Sequence, residues 1–189
     1  MTRLPRPLFT AREAAARARA LVGHSIYKLG TGNADTPDDE PMDCCGFATC
    51  KCFGIVRHRM LFNKGVWATV EDDINCNSSI EDARHEQDLF EPATGDPQEG
   101  DLLKWPTIRL PGHVLPLEEG HECIVVGVSR AIGKWDPANP DYRLLDVVQC
   151  EGPHGRKPGI VATDGTYWYE HDKKWPKPEH RSWMLRVKP

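Results

Sequence analysis

The grain of the C-terminal half sets the first limit on the fold. From Leu102 onward, apolar residues come in short runs at 102–105, 121–128, 144–150, 159–163, 166–169 and 183–187, separated by Gly, Pro, Asp or Asn. Runs of this length, apolar or alternating and bounded by turn formers, predict strands rather than helices. A chain with 16 Gly and 16 Pro in 189 residues also makes a poor helical bundle, because Pro removes a backbone donor and Gly adds unfolded-state entropy. The expectation is a meandering, mostly antiparallel sheet of about five to six strands.

Helix signals precede the strands. Thr10 and Glu13 have the spacing of a capping box, in which each side chain satisfies a free N–H of the other residue. Ala11, Ala14, Ala15, Ala18 and Val22 then recur at helical spacing, and Gly23 supplies a stop. Residues 29–42, rich in Gly, Asp, Asn and Pro, read as a loop. Asp43 can cap a second helix over 44–56, with Phe47, Ala48, Cys52 and Ile55 on its buried side. A short charged helix is expected over 80–89. Helices followed by strands give an α+β domain with the helices on one face of the sheet, and no linker divides residues 1–189.

Composition narrows the function. A formal net charge of −4 disfavours phosphate-backbone binding, which needs clustered Lys and Arg. No apolar run reaches the roughly 18 residues that a membrane-spanning helix requires, so no membrane insertion is expected. The N-terminus is Arg-rich and amphipathic and lacks an apolar signal core, so no signal peptide is expected and synthesis is placed in the cytoplasm. Seven Cys, four of them at 44, 45, 50 and 52, do not form a spaced disulfide framework. Those four on one helix cannot converge on a single ion, so no metal site is expected. The six Trp, at 67, 105, 135, 168, 175 and 183, share no spacing and read as packing residues, and the basic stretch 171–180 reads as a solvated loop.

Two words carry chemistry. Asp43-Cys44-Cys45-Gly46-Phe47 stands at a predicted helix start, where free N–H groups favour a thiolate. Gly120-His121-Glu122-Cys123-Ile124 stands at a predicted strand start, where an imidazole is held rigidly enough to take the thiol proton. Cys44 is the candidate nucleophile and His121 the candidate base. His113, in Gly112-His113-Val114, competes for that role, although Pro116 interrupts the strand that should follow it.

These words, preceded by Tyr27-Lys28-Leu29-Gly30 and separated by Gly100-Asp101-Leu102-Leu103, resemble the NlpC-type cell-wall peptidases, papain-like cysteine hydrolases of peptidoglycan. The resemblance spans residues 14–151, and Asn75-Cys76-Asn77-Ser78-Ser79-Ile80-Glu81-Asp82-Ala83 is similar to the phage-encoded variety. It implies a papain-like α+β fold and a Cys–His–polar triad that cleaves the stem peptide, at the bond from D-glutamate to the diamino acid, without a cofactor. By position, Gln149 would orient His121, with Glu151, Asp146 and His154 as alternatives. Tyr27, Asp43 and Cys45 would line the cleft or oxyanion site, Cys45 standing where the family has Ser. The resemblance also implies action at the bacterial wall, as a phage or prophage product acting through a holin or within a tail. An amidase or acyl transferase on the same fold, and a catalytically silent wall-binding or tail module, remain open alternatives.

Overall fold

The computed structural model describes residues 6–55, 76–84, 89–109, 116, 118–129, 135–152 and 159–189. His113, His154 and Trp67, and the stretch around Val56, lie outside the described residues.

Helix α1, Ala11–Ala20, begins at the expected capping box: Glu13 N–H donates to Thr10 Oγ1 at 3.3 Å, and Thr10 N–H donates to the Glu13 carboxylate at 2.8 Å. Ala14, Ala15 and Ala18 are fully buried, and their small side chains let α1 lie close to the sheet. Val22 falls beyond the last turn and is exposed, so it leaves the apolar stripe that its spacing suggests. The second helical segment begins at Cys44 and winds as a π-helix over Gly46–Cys52, with Ile55 N–H bonded to Cys50 O at 3.1 Å. Phe47, Ala48, Cys52 and Ile55 are buried as their spacing predicts. Helix α2 is Cys76–Arg84, several residues earlier than the charged pattern over 80–89 suggests.

Six strands form one antiparallel sheet in the order β1-β6-β2-β3-β4-β5: β1 Phe90–Pro92, β2 Leu102–Trp105, β3 His121–Val128, β4 Leu145–Glu151, β5 Gly159–Asp164 and β6 Trp183–Val187. The fold is therefore α+β. Strand β1 has three residues, includes a Pro and sits at the sheet edge, where a missing donor costs no ladder bond. Gly100 makes the turn into β2 at φ 91°, and a Cβ there would stand 2.3 Å from Ala11 O, so Gly lets the start of α1 lie on that turn. Asp101 then ties β2 to β6 through two 2.8 Å bonds from Arg186.

One strand expectation is overturned. Residues 166–169 belong to a helix, α3, Thr166–Lys174. Asp164 accepts from Thr166 N–H at 2.9 Å and starts the turn, while Trp168 and His171, one helical turn apart, are the buried positions. The aromatic content of 166–169 fits strand propensity equally well, and tertiary burial decides against it. His171, read as part of a solvated loop, is buried and stacks on Trp105 with ring centroids 4.2 Å apart.

Helices accordingly cover both faces, not one. On the first face α1, the π-helix and α2 meet Leu102, Ile124, Val126, Val148, Cys150 and Leu185. On the second, Trp168 of α3 joins Leu103, Trp105, Cys123, Val125 and Val147. Replacing Trp168 by Ala should destabilise the fold by about 3–5 kcal/mol in urea titration. Tyr167→Ala, at a half-exposed neighbour, should cost less than about 1 kcal/mol, and equal losses at the two positions would argue against the helix.

Candidate functional site

Asp43 organises the start of the π-helical segment. Its carboxylate accepts from Gly46 N–H at 2.6 Å and from Gly30 N–H at 2.9 Å, while its own N–H donates to Thr31 O at 3.0 Å. The loop that follows Tyr27 is thereby folded onto the helix start. A Cβ at position 46 would stand 2.2 Å from Thr31 O, so only Gly admits this approach. The Asp-Cys-x-Gly spacing is thus a cap and a clearance, with Cys44 set between them.

Cys44 is 5% exposed and lies with Cys45 and Cys76, the three sulfurs all within 4.8 Å of one another. Cys45 and Cys76 are 3.5 Å apart at sulfur. Hydrogen bonds from the Cys45 and Cys76 thiols hold the Cys44 pKa well below the ordinary thiol range, against burial and the nearby Glu122 and Asp43 carboxyls. Tyr27 is tied to Met42 by a parallel bridge and borders this group; burial, then the Cys44 charge, push its phenol pKa up. The Tyr27 ring also packs on Gly152, just past the end of β4. The loop between Tyr27 and Asp43 carries an open cleft of about 340 Å³, bordered by Lys28, Thr31, Pro37 and Glu40.

His121, the first residue of β3, makes a 2.8 Å hydrogen bond from Nε2 to Gln149 Oε1. The Gln149 amide nitrogen donates in turn to Glu151 Oε1, which fixes the amide orientation because a carboxylate only accepts. With Oε1 facing the imidazole, the ring proton sits on Nε2 and Nδ1 is left as the basic nitrogen. Burial lowers the His121 pKa and keeps the ring neutral, with the Gln149 bond acting in the opposite sense. Glu151 therefore stands behind Gln149 in this chain, while Asp146 is exposed further down β4. Trp105 and Trp168 pack on the His121 ring at centroid distances of 5.2 and 5.5 Å, and Tyr167 meets it edge-on at 6.1 Å.

The two halves occupy opposite faces at one end of the sheet. His121 points toward Trp105 and α3, whereas its neighbour Glu122 points to the π-helix, as strand alternation requires. No hydrogen bond joins Cys44 to His121; the imidazole is engaged with Gln149, and the Cys44 sulfur lies within 4.8 Å of those of Cys45 and Cys76. Cys76 nonetheless abuts Gly120, where an added Cβ would lie 3.0 Å from Cys76 Cβ, so the thiols border the start of β3.

Beneath the thiols lies a buried polar network that sequence reading missed. Lys104 and Glu122, facing residues of β2 and β3, form an ion pair with neither side chain exposed. The Glu122 carboxylate also accepts from Cys45 Sγ at 3.1 Å, Thr49 N–H at 3.0 Å and Thr49 Oγ1 at 2.7 Å. Lys104 donates further to Thr49 Oγ1 at 3.0 Å and Ser79 Oγ at 2.9 Å. Desolvation opposes the Lys104 charge, and the Glu122 carboxylate outweighs it, leaving the ammonium pKa raised. Two charged residues in register on neighbouring strands were the available signal.

Comparison of the chain with protein-family models, with curated proteins and with solved structures gives no match.

Lys104→Met should cost about 3–5 kcal/mol in a denaturant titration, because Glu122, whose pKa burial already raises, loses the partner that stabilises its charge and must be buried unpaired or take up a proton. Adding Glu122→Leu should restore part of that loss. Thr49 N–H then lacks its acceptor, leaving a deficit of about 1–3 kcal/mol, and full recovery would show that this bond contributes nothing.

Proposed function

We propose that this chain is a papain-like cysteine hydrolase that acts on peptidoglycan and cleaves an amide of the stem peptide between D-glutamate and the diamino acid. The observation that carries the reading is the His121–Gln149 hydrogen bond, an imidazole held in one tautomer by a neutral amide on the next strand. It is supported by a cysteine at a carboxylate-capped helix start, with a tyrosine close enough to feel its charge.

In this mechanism the Cys44 thiol passes its proton to His121 Nδ1, the resulting thiolate adds to the carbonyl carbon, and N–H groups at the helix start receive the oxyanion. The tetrahedral adduct collapses, breaking the C–N bond as His121 delivers a proton to the departing amine. Water, deprotonated by the same imidazole, attacks the thioester and releases the acid and the Cys44 thiol. Gln149 keeps the imidazole oriented throughout. The reading requires Cys44, 5% exposed and grouped with two other thiols, to turn toward His121 in the substrate complex. Catalytic hydrogen bonds that are long or misdirected in a free enzyme commonly tighten only when substrate is bound. As a phage or prophage product the protein would meet the wall through a holin or a tail.

Purified peptidoglycan incubated with the reduced protein should yield soluble fragments bearing a new amino terminus on the diamino acid, read by mass spectrometry. Cys44→Ala and His121→Ala should each abolish the product. Gln149→Ala should lower the rate by roughly 10²-fold or less, since it orients the base and does not transfer the proton. Stem peptides freed from muramic acid would identify an amidase instead. Absence of any Cys44-dependent product would favour a silent wall-binding module.

A further inference from the structure

We propose that Cys44, Cys45 and Cys76 form a thiolate site for one divalent cation of the zinc class. Their sulfurs converge from two separate elements, the start of the π-helical segment and the first residue of α2, and lie within 4.8 Å of one another. Sulfurs bound at about 2.3 Å to one tetrahedral ion stand roughly 3.8 Å apart. The trio therefore brackets the spacing that an ion imposes, and small side-chain rotations complete it. All three residues are buried, which excludes competing water. The three sulfurs supply three ligands, and the Lys104 ammonium, close to the Cys45 sulfur through Glu122, offsets part of the negative charge that three thiolates bring.

Binding is ligand exchange without redox change. Each thiol loses its proton to solvent as its sulfur bonds the metal, which sheds water. Soft sulfur donors select zinc-class ions and discriminate against magnesium and calcium. One consequence rests on the hydrolase reading: with Cys44 among the ligands, the bound ion withdraws the nucleophile. The site itself does not depend on that reading.

The test uses the full chain, reduced, stripped of metal and kept anaerobic. Titration with cobalt(II) chloride should produce the strong visible absorption of tetrahedral thiolate cobalt, saturating at one equivalent and bleached by zinc chloride. Zinc should also protect three of the seven cysteines from a thiol reagent in denaturant-free buffer. Cys76→Ser should weaken cobalt binding by more than about 100-fold, and Cys44→Ala should do likewise in case the first variant folds poorly. Cys50→Ser, a buried thiol outside the trio, should change nothing. No thiolate band, or a band unchanged in both Cys76→Ser and Cys44→Ala, overturns the proposal. The metal-free protein is assayed on peptidoglycan in parallel. A cobalt band without hydrolysis sustains the metal site and removes the hydrolase reading, whereas hydrolysis without a band does the reverse.

Discussion

The buried pair of Lys104 and Glu122 is the constraint around which the rest is arranged. Two charges in a sheet interior are tolerable only if each is paired and its remaining hydrogen-bonding capacity is used. Here those bonds reach Thr49 on the π-helix, Ser79 on α2 and the Cys45 thiol, so the ion pair fixes both helical elements to the centre of the sheet. Its network ties together the segments that carry Cys45 and Cys76. A purely apolar contact would hold the helices as firmly, yet would leave their rotation and register freer, because apolar packing is less directional than hydrogen bonding.

Much of this architecture is legible in the sequence wherever one local signal suffices. The Thr10–Glu13 box, the strands at 102–105, 121–128 and 183–187, and the Asp43 cap each depend on residues within a few positions of one another. Where the outcome depends on distant residues, local reading fails. Thr166-Tyr167-Trp168-Tyr169 satisfies strand propensity, and it is Trp105, some sixty positions earlier, that draws Trp168 and His171 onto one helical face. Cys76 falls in the same class. Seen as part of a polar segment it has no partner, and only the fold sets it 3.5 Å from Cys45, so the four cysteines at 44, 45, 50 and 52 taken by themselves leave out the thiol that meets them.

The candidate site divides along the same line. That Gln149 meets His121 follows from two neighbouring strands and their register, with Cys123 opposite Gln149; the resemblance pointed to this position, whereas alternation along β4 leaves Glu151 on the same face. Alternation also sends Glu122 to the π-helix and His121 to α3, which separates the imidazole from the thiols by one strand's thickness. The same pleat that gives His121 its rigid orientation therefore denies it a direct bond to Cys44.

This opposition makes the end of the sheet the decisive place. A side chain in the middle of β3 could not pass from one face to the other, because the strands on either side close the way. His121 is the first residue of its strand, next to Gly120, which leaves the space that Cys76 occupies. Gly152 plays the corresponding part at the finish of β4, where its missing side chain admits the Tyr27 ring. Two glycines thus open the sheet end, one beside the thiols and one beside Tyr27. On the two proposals made here, a peptide carbonyl and a metal ion would compete for the same sulfur of Cys44.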